Sequence, residues 1–211
     1  MSSEEETPSC KVVLLGETGV GKTCIISRYI RNAFNPETEI STMASFTSKT
    51  LTMSNNTKLR FDIWDTAGQE KYRSLTRFFY KDAAIAVLVY DITRKESFEE
   101  LKTYWVTQLQ ECVNDNLVIG IAGNKSDLFS KEAVKEEEVK EFARSINAVF
   151  KLTSASVGTG VDQLFQSLGE VYLSPDKVNR RTSMKDQRKI TINGNNFDNK
   201  RNGCCKGNQK N

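Results

Sequence analysis

Short apolar runs rich in Val, Ile and Leu alternate with amphipathic stretches along the first 174 of the 211 residues. Apolar runs bounded by turn residues predict strands, whereas apolar positions three and four apart predict helices. The predicted strands span 11–15, 46–53, 59–64, 83–90, 117–122 and 149–152, and the predicted helices span 24–30, 97–113, 134–146 and 160–173. This alternation predicts an α/β fold with a six-stranded, mostly parallel sheet, one antiparallel hairpin and about five flanking helices, of which the four given above have a clear pattern.

A few residues indicate where these elements begin, turn or end. Ser54–Thr57 separates two alternating stretches and predicts the hairpin turn. Ser97 and Glu100 match a capping box, with Ser97 as the residue that caps its helix. The helix over 134–146 has several Glu at its start and Arg144 near its end, as the helix dipole favours.

Charge and composition change after residue 174. From Pro175 onward the chain has ten Lys or Arg, three Asp and eight Asn, a net charge of +7, while the remainder carries −4. We predict that residues 175–211 and the acidic residues 1–9 are disordered, which leaves one domain over 10–174. A basic tail indicates an anionic partner, either a membrane surface or a nucleic acid, or else a solvated segment without a partner.

The composition excludes several classes of function. The chain has no histidine, which excludes imidazole bases and histidine-ligated zinc. Its five cysteines show no C-x-x-C spacing, so a zinc site and a disulfide framework are not expected, and a reducing compartment fits better. The first residues lack the apolar stretch of a signal peptide, and the longest apolar run, Ala83–Val89, is too short to span a bilayer.

A glycine-rich loop follows the first predicted strand and opens the first predicted helix. Gly16–Thr23 reads G-E-T-G-V-G-K-T and matches the phosphate-binding motif G-x-x-x-x-G-K-[ST] in the context it requires. Its backbone N–H groups would surround a β-phosphate, Lys22 would add a cation, and the Thr23 hydroxyl would bind Mg²⁺. The motif therefore predicts a P-loop NTPase fold.

Two polar loops follow later strands and indicate which base is bound. Asn124, Lys125 and Asp127 come after the strand over 117–122, at the sheet edge where α/β proteins hold ligands. A carboxylate at Asp127 can accept from guanine N1 and N2, whereas adenine has no such donor pair; Asn124 can bond the other edge of the purine and Lys125 can cover the ring. A backbone N–H of Ser154–Ser156 could reach guanine O6. By itself the first loop would be an ordinary polar turn, but beside a phosphate loop it favours guanine.

A third loop supplies groups for the metal and the γ-phosphate. Asp65 ends the second strand of the hairpin, where its carboxylate can hold Mg²⁺ directly or through water. The N–H of Gly68 can approach the γ-phosphate closely, and the amide of Gln69 can orient the attacking water because it both donates and accepts.

Together these motifs resemble the small Ras-like GTPases, and within them the Rab branch, with the early-endosomal Rabs most similar. The resemblance covers residues 10–174 and implies GTP or GDP with Mg²⁺ as ligands, and Gln69, Lys22 and Gly68 as catalytic groups. It also implies that Phe34 lies at the edge of guanine, although Phe34 could instead be a core residue at a helix end. The remaining residues that it assigns to the nucleotide are Glu17, Thr18, Gly19, Val20, Gly21, Cys24 and Thr42, with the base-loop residues Ser154, Ala155 and Ser156.

The chain departs from the family pattern near the switch hydroxyl that completes the Mg²⁺ shell. Spacing from Lys22 places this hydroxyl at Ser41, whereas spacing from Asp65 favours Thr42. We take Thr42, together with Thr23 and Asp65, as the metal ligands. Met43 and Ala44 stand where the family has a glycine, and Ser156 replaces its usual lysine.

The resemblance further implies particular partners and a location. Phe46, Trp64 and Phe79 match the aromatic triad that senses nucleotide state and meets effectors, although ordinary packing would also explain them. Cys204 and Cys205 match the prenylated pair of Rab tails, with a reactive thiol pair, a vicinal disulfide or no role as alternatives. The implied protein is a monomer that binds no nucleic acid and cycles between cytosol and the cytoplasmic face of an intracellular membrane, which we expect to be endosomal. Its expected partners are an exchange factor, a GTPase-activating protein, effectors, an escort protein and a prenyl extractor.

Two other functions fit parts of the same pattern. A nucleotide-bound scaffold with poor turnover is suggested by Met43 and Ala44, but the intact Gln69 argues against it. An ATP-dependent small-molecule kinase would share the phosphate loop, but Asp127 argues against it. We therefore predict a membrane-associated GTPase switch in vesicle trafficking, with a soluble, unprenylated Ras-like GTPase as a further alternative.

Overall fold

The computed structural model describes residues 7–38, 44–66, 79–112 and 116–174. Its strands are β1 Ser9–Leu15, β2 Ser45–Thr52, β3 Lys58–Asp65, β4 Ile85–Asp91, β5 Val118–Asn124 and β6 Val149–Leu152. Its helices are α1 Lys22–Arg31, α2 (Lys95–Glu100, a π-helical turn Leu101–Trp105, and Val106–Cys112), α3 Glu136–Ser145 and α4 Val161–Leu173, with a 3-10 helix Ser126–Lys131. The predicted fold class is confirmed, and most element boundaries agree with the sequence-based prediction to within about two residues.

The six strands form one sheet in the order β2-β3-β1-β4-β5-β6. Only β2 and β3 are antiparallel, so the ends of five parallel strands meet along one edge. Register places Asp65 beside Leu14 and Asp91 beside Asn124, which brings the polar loops that follow β3, β4 and β5 together. The candidate site lies at this edge, as expected for an open α/β sheet.

Each face of the sheet has its own apolar core. In β1, Val12 and Leu14 point into the core beneath α1 and α4, while Val13 and Leu15 point into the core beneath α2 and α3. Burial on both faces explains why the central strands read as continuous apolar runs rather than alternating ones. The sheet is thereby held rigidly between two helical layers, and its loops have a fixed platform.

Two details of the sequence-based prediction were wrong. Ser9, assigned to the disordered N-terminal segment, pairs with Arg60 in the sheet, because the parallel ladder with β3 continues to satisfy its backbone. Ser97 does not cap α2, which begins at Lys95 after Arg94. The buried Ser97 hydroxyl instead accepts from the Asp91 N–H at 3.0 Å and donates to the Arg94 carbonyl at 2.7 Å.

Within the described ranges, no helix combines the length and apolar character needed to cross a bilayer.

Candidate nucleotide-binding site

A cavity of about 340 Å³ opens at the carboxyl edge of the sheet. It joins the phosphate loop, the segment after α1 and both polar loops predicted to read the base. Twelve predicted residues line it: Thr18, Gly19, Gly21, Lys22, Thr23, Cys24, Phe34, Asn124, Lys125, Asp127, Ala155 and Ser156. The structure therefore brings into one cavity motifs that lie more than 130 residues apart in the chain.

The phosphate loop is shaped by glycines and by its lysine. Gly16 and Gly21 have φ of 146° and 97°, and a side chain at either would come within 2.4 Å of Val89 O or Asn124 Nδ2 respectively. Lys22 is buried and donates to the carbonyls of Gly16 at 2.8 Å and Glu17 at 2.9 Å. Burial lowers the pKa of the Lys22 ammonium to about 8, against the opposing charge of Asp65. An anionic phosphate beside this poorly hydrated cation would stabilise its charged form.

Thr23 and Asp65 form the predicted metal side of the cavity. The Thr23 hydroxyl donates to Asp65 Oδ2 at 2.6 Å, while Asp65 Oδ1 is buried and has no hydrogen-bond partner among the residues that the structure describes. Burial raises the pKa of Asp65, although the Thr23 hydrogen bond and the charge of Lys22 oppose it. A hydroxyl and a carboxylate with one unpartnered oxygen suit Mg²⁺, which binds through few protein oxygens plus phosphate and water. In the described part of the chain, no group of three or more His, Cys, Asp or Glu side chains is arranged to hold a metal ion.

Asn124 links the phosphate loop to the base loop. Its Nδ2 donates to Val20 O at 2.8 Å, and its Oδ1 accepts from the Ala155 N–H at 3.2 Å. The side chain is almost fully buried, so these bonds hold three segments together. One N–H of its amide remains for the purine edge that the sequence assigned to it.

Lys125 belongs to an ionic chain that the sequence did not reveal. Its ammonium lies 2.6 Å from Asp91 Oδ2, while Asp91 Oδ1 accepts from the N–H and the hydroxyl of Thr93. Burial alone would raise the pKa of Asp91, but the hydrogen bonds from Lys125 and Thr93 lower it below its ordinary value. Arg94 extends the chain by pairing with Glu17 at 3.2 Å and donating to Thr18 O at 3.1 Å. Arg94 Nε also lies 3.7 Å from Asp91 Oδ2, so the phosphate loop is tied to the base loop through two residues, Asp91 and Arg94, that do not line the cavity.

Asp127 and the segment after α1 form the outer end of the cavity. Asp127 Oδ1 accepts from the Ser154 hydroxyl at 2.5 Å, which orients the carboxylate. Phe34 lines the cavity and is 38% exposed, so it is not a core residue at the helix end. The sequence missed five further lining residues, since their types carry no motif: Asn35, Pro36, Thr38, Thr66 and Leu128.

The predicted aromatic triad is a contiguous cluster. The Trp64 ring lies 5.2 Å from Phe46 and 5.9 Å from Phe79, measured between centroids. Phe46 is 55% exposed, so the cluster reaches the surface. The predicted site residues Ser41, Thr42, Gly68, Gln69, Cys204 and Cys205 lie outside the described residues.

Comparison with known proteins agrees with this geometry. Residues 11–173 match the model of the Ras family. The chain is 47% identical over 159 residues to Ras-related protein Rab-5B of Dictyostelium discoideum, which covers 75% of this chain and 72% of that protein. It is 42% identical over 166 residues to Ras-related protein Rab-22A of Homo sapiens, covering 79% and 84%. Ras-related protein RABA4d of Arabidopsis thaliana is 38% identical over 205 residues, covering 92% and 91%. The chain therefore belongs to the Ras family of small GTPases, and within it to the Rab group.

Proposed function

We propose that this protein binds GTP and GDP in the cavity at the sheet edge and hydrolyses GTP to GDP and phosphate as a switch in vesicle trafficking. One observation carries the proposal: a single cavity joins the phosphate loop around Lys22 to Asp127, a carboxylate matched to guanine. Membership of the Rab group supports it independently.

The chemistry divides among residues on two sides of the cavity. Lys22 offsets charge on the β- and γ-phosphates, and Gln69 orients the attacking water, with the Gly68 N–H at the γ-phosphate. Thr23, Asp65 and the switch hydroxyl of Thr42 or Ser41 would hold Mg²⁺, which when bound offsets the charge that develops on the phosphate oxygens. No group of the chain forms a covalent intermediate in this scheme. Such sites are slow until a partner supplies an arginine, which adds about 10³–10⁵-fold.

The switch itself would consist of two loops that contact the γ-phosphate. We assign them to residues 35–45 and 67–81, which flank the aromatic triad of Phe46, Trp64 and Phe79. Hydrolysis removes the phosphate that holds these loops, so the surface offered to effectors changes. An exchange factor and a GTPase-activating protein would set how long each state lasts.

Replacing Gln69 by Leu is expected to leave nucleotide binding intact and slow hydrolysis by about tenfold, since Leu cannot orient the water. Single-turnover hydrolysis of labelled GTP, with and without an activating protein, measures this effect. Gln163→Leu, at an exposed position of α4, is the matched control and should hydrolyse GTP at the wild-type rate. Equal rates for wild type and Gln69→Leu would contradict the role of Gln69. No turnover by the wild type would favour the nucleotide-bound scaffold instead.

We also propose that Cys204 and Cys205 carry two prenyl groups that anchor the protein to an endosomal membrane. The pair follows a domain of the Rab group, and the basic segment before it suits an anionic leaflet, at about 1 kcal/mol for each basic residue near the surface. The relatives named Rab-5B and Rab-22A support the endosomal assignment. An escort protein and a prenyl extractor would be the partners for attachment and recycling.

Replacing both Cys204 and Cys205 by Ser is expected to move the protein from the membrane pellet to the supernatant. Single replacements should give partial loss, because one lipid chain gives only marginal binding. Fractionation of native cells and intact-mass analysis would measure location and added prenyl mass. An unmodified mass with a wholly soluble distribution would overturn the anchor and leave a soluble GTPase.

A further inference from the structure

Arg28 lies on α1, outside the nucleotide cavity, and its guanidinium holds the loop that would read the base. The Nε–H donates to Ala155 O at 2.8 Å and an Nη2–H donates to Ser156 O at 2.6 Å. Nη1 donates to Asn32 O at 3.0 Å and to Asn32 Oδ1 at 2.9 Å. One planar side chain thus joins two consecutive carbonyls of the base loop to the end of α1, using the fixed fork geometry of arginine.

The amides of the same loop are the groups that the proposed function assigns to guanine O6. The Ala155 N–H bonds to Asn124 Oδ1 at 3.2 Å, and Ser154 N–H bonds to Thr159 O at 2.9 Å. Ser156 lines the cavity, and its N–H has no hydrogen-bond partner among the described residues. Because peptide groups are planar, fixing the carbonyl of Ala155 also fixes the direction of the Ser156 N–H, which belongs to the same peptide.

On its other side, the Arg28 guanidinium bonds to Asn32 at the end of α1, and the segment that follows Asn32 forms the opposite wall of the cavity. Asn32 ends α1 with a left-handed backbone, φ 51°, and its N–H donates to Arg28 O at 2.9 Å. Two residues later Phe34 lines the cavity. The stem of Arg28 passes beneath the loop, where a side chain at Gly158 would meet its Cδ at 3.5 Å. Arg28 therefore ties both walls of the base end together.

We propose that Arg28 is a positioning residue for guanine recognition, which fixes the direction of the Ser156 N–H toward guanine O6 by holding the carbonyl of Ala155. This inference rests on the proposed binding of guanine nucleotide. Ser156 brings no long side chain to cover the base, so the loop depends on its backbone contacts. Arg28 is not among the residues that line the cavity and acts only through the loop.

The test compares GDP with 2-aminopurine riboside 5′-diphosphate, a nucleotide that lacks O6 and, with it, the hydrogen on N1. The loss at N1 is the same in wild type and variant, so for each ligand the affinity of the variant is compared with that of the wild type. Arg28→Met is expected to weaken GDP binding by about tenfold, because roughly one hydrogen bond from the loop backbone to the base is lost. Binding of the analogue should change less than about twofold, because it has no O6 for the loop to bond. Arg28→Lys, which keeps the charge but not the fork, should fall between wild type and Arg28→Met. Arg31→Met, an exposed arginine of the same helix, is the matched control and should bind both ligands like wild type.

Circular dichroism melting separates loss of recognition from loss of fold. If Arg28→Met does not fold, Arg28→Lys carries the same comparison with Arg31→Lys as its control. Equal weakening of both ligands, or no weakening of GDP, would overturn the role of Arg28. A wild-type protein that does not prefer GDP to ADP would overturn the proposed function, and this inference with it. If the wild type prefers GDP to ADP but the Arg28 and Arg31 variants bind GDP equally well, the role of Arg28 is overturned while the proposed function stands.

Discussion

Asp127→Asn is expected to lower the affinity for both GTP and GDP by about 2–5 kcal/mol, because a carboxylate that accepts from guanine N1 and N2 is replaced by an amide. The amide oxygen can still accept from N1, but its NH₂ group would face the donor at N2. Xanthine carries an oxygen at that position, so the amide of this variant would match xanthine nucleotides better than the wild-type carboxylate does. Competition between xanthosine diphosphate and guanosine diphosphate, measured for this variant and for the wild type, shows whether the preference shifts from guanine to xanthine.

The control for this prediction is Asp82→Asn, which removes the same charge at an exposed position. Asp82 has φ 60°, a conformation that Asn tolerates, so the fold should be unaffected. Guanine affinity should equal that of the wild type in this variant. Unchanged guanine affinity in Asp127→Asn would show that the carboxylate does not read the base.

Thr23→Asn is expected to weaken GTP relative to GDP by about a hundredfold, because it removes a hydroxyl assigned to Mg²⁺ and disturbs the carboxylate beside it. The structure shows why the effect reaches Asp65: the Thr23 hydroxyl is 2.6 Å from Asp65 Oδ2 and orients that buried group. GTP depends more on the cation because it carries the additional phosphate. Dissociation rates of labelled GTP and GDP, measured over a range of Mg²⁺ concentrations, test the prediction.

Thr23→Ser is the matched control, since it keeps the hydroxyl at the same position. It should retain the wild-type preference and the wild-type dependence on Mg²⁺. A Thr23→Asn protein with unchanged affinity for both nucleotides and unchanged Mg²⁺ dependence would refute the assignment of Thr23 to the metal.

The sequence predicts the strands and phosphate loop because both depend on local pattern. Central strands such as β4, Ile85–Asp91, are buried on both faces and therefore read as continuous apolar runs. Gly16 and Gly21 are needed for positive φ and close approach, so their spacing carries the loop geometry. Lys22 and Thr23 then follow in the motif at fixed positions.

The contacts that hold the site together are less visible in the sequence. Arg94 pairs with Glu17, which lies 77 residues away in the sequence, and Arg28 donates to the carbonyl of Ala155, which lies 127 residues away. Such pairs depend on which loops the sheet order places side by side, and an isolated arginine in a helix or turn is usually a solvated charge. Ser97 shows the same limit: its local pattern predicts a cap, but the neighbouring strand end provides a buried partner.

The identity of the nucleotide that co-purifies with the protein tests the account most directly. The protein would be isolated without added nucleotide, denatured, and the released small molecules separated by chromatography against guanine and adenine standards. We expect about one guanine nucleotide per chain, GDP or GTP, because the cavity joins Lys22 to Asp127. An adenine nucleotide, or no nucleotide at all, would contradict it.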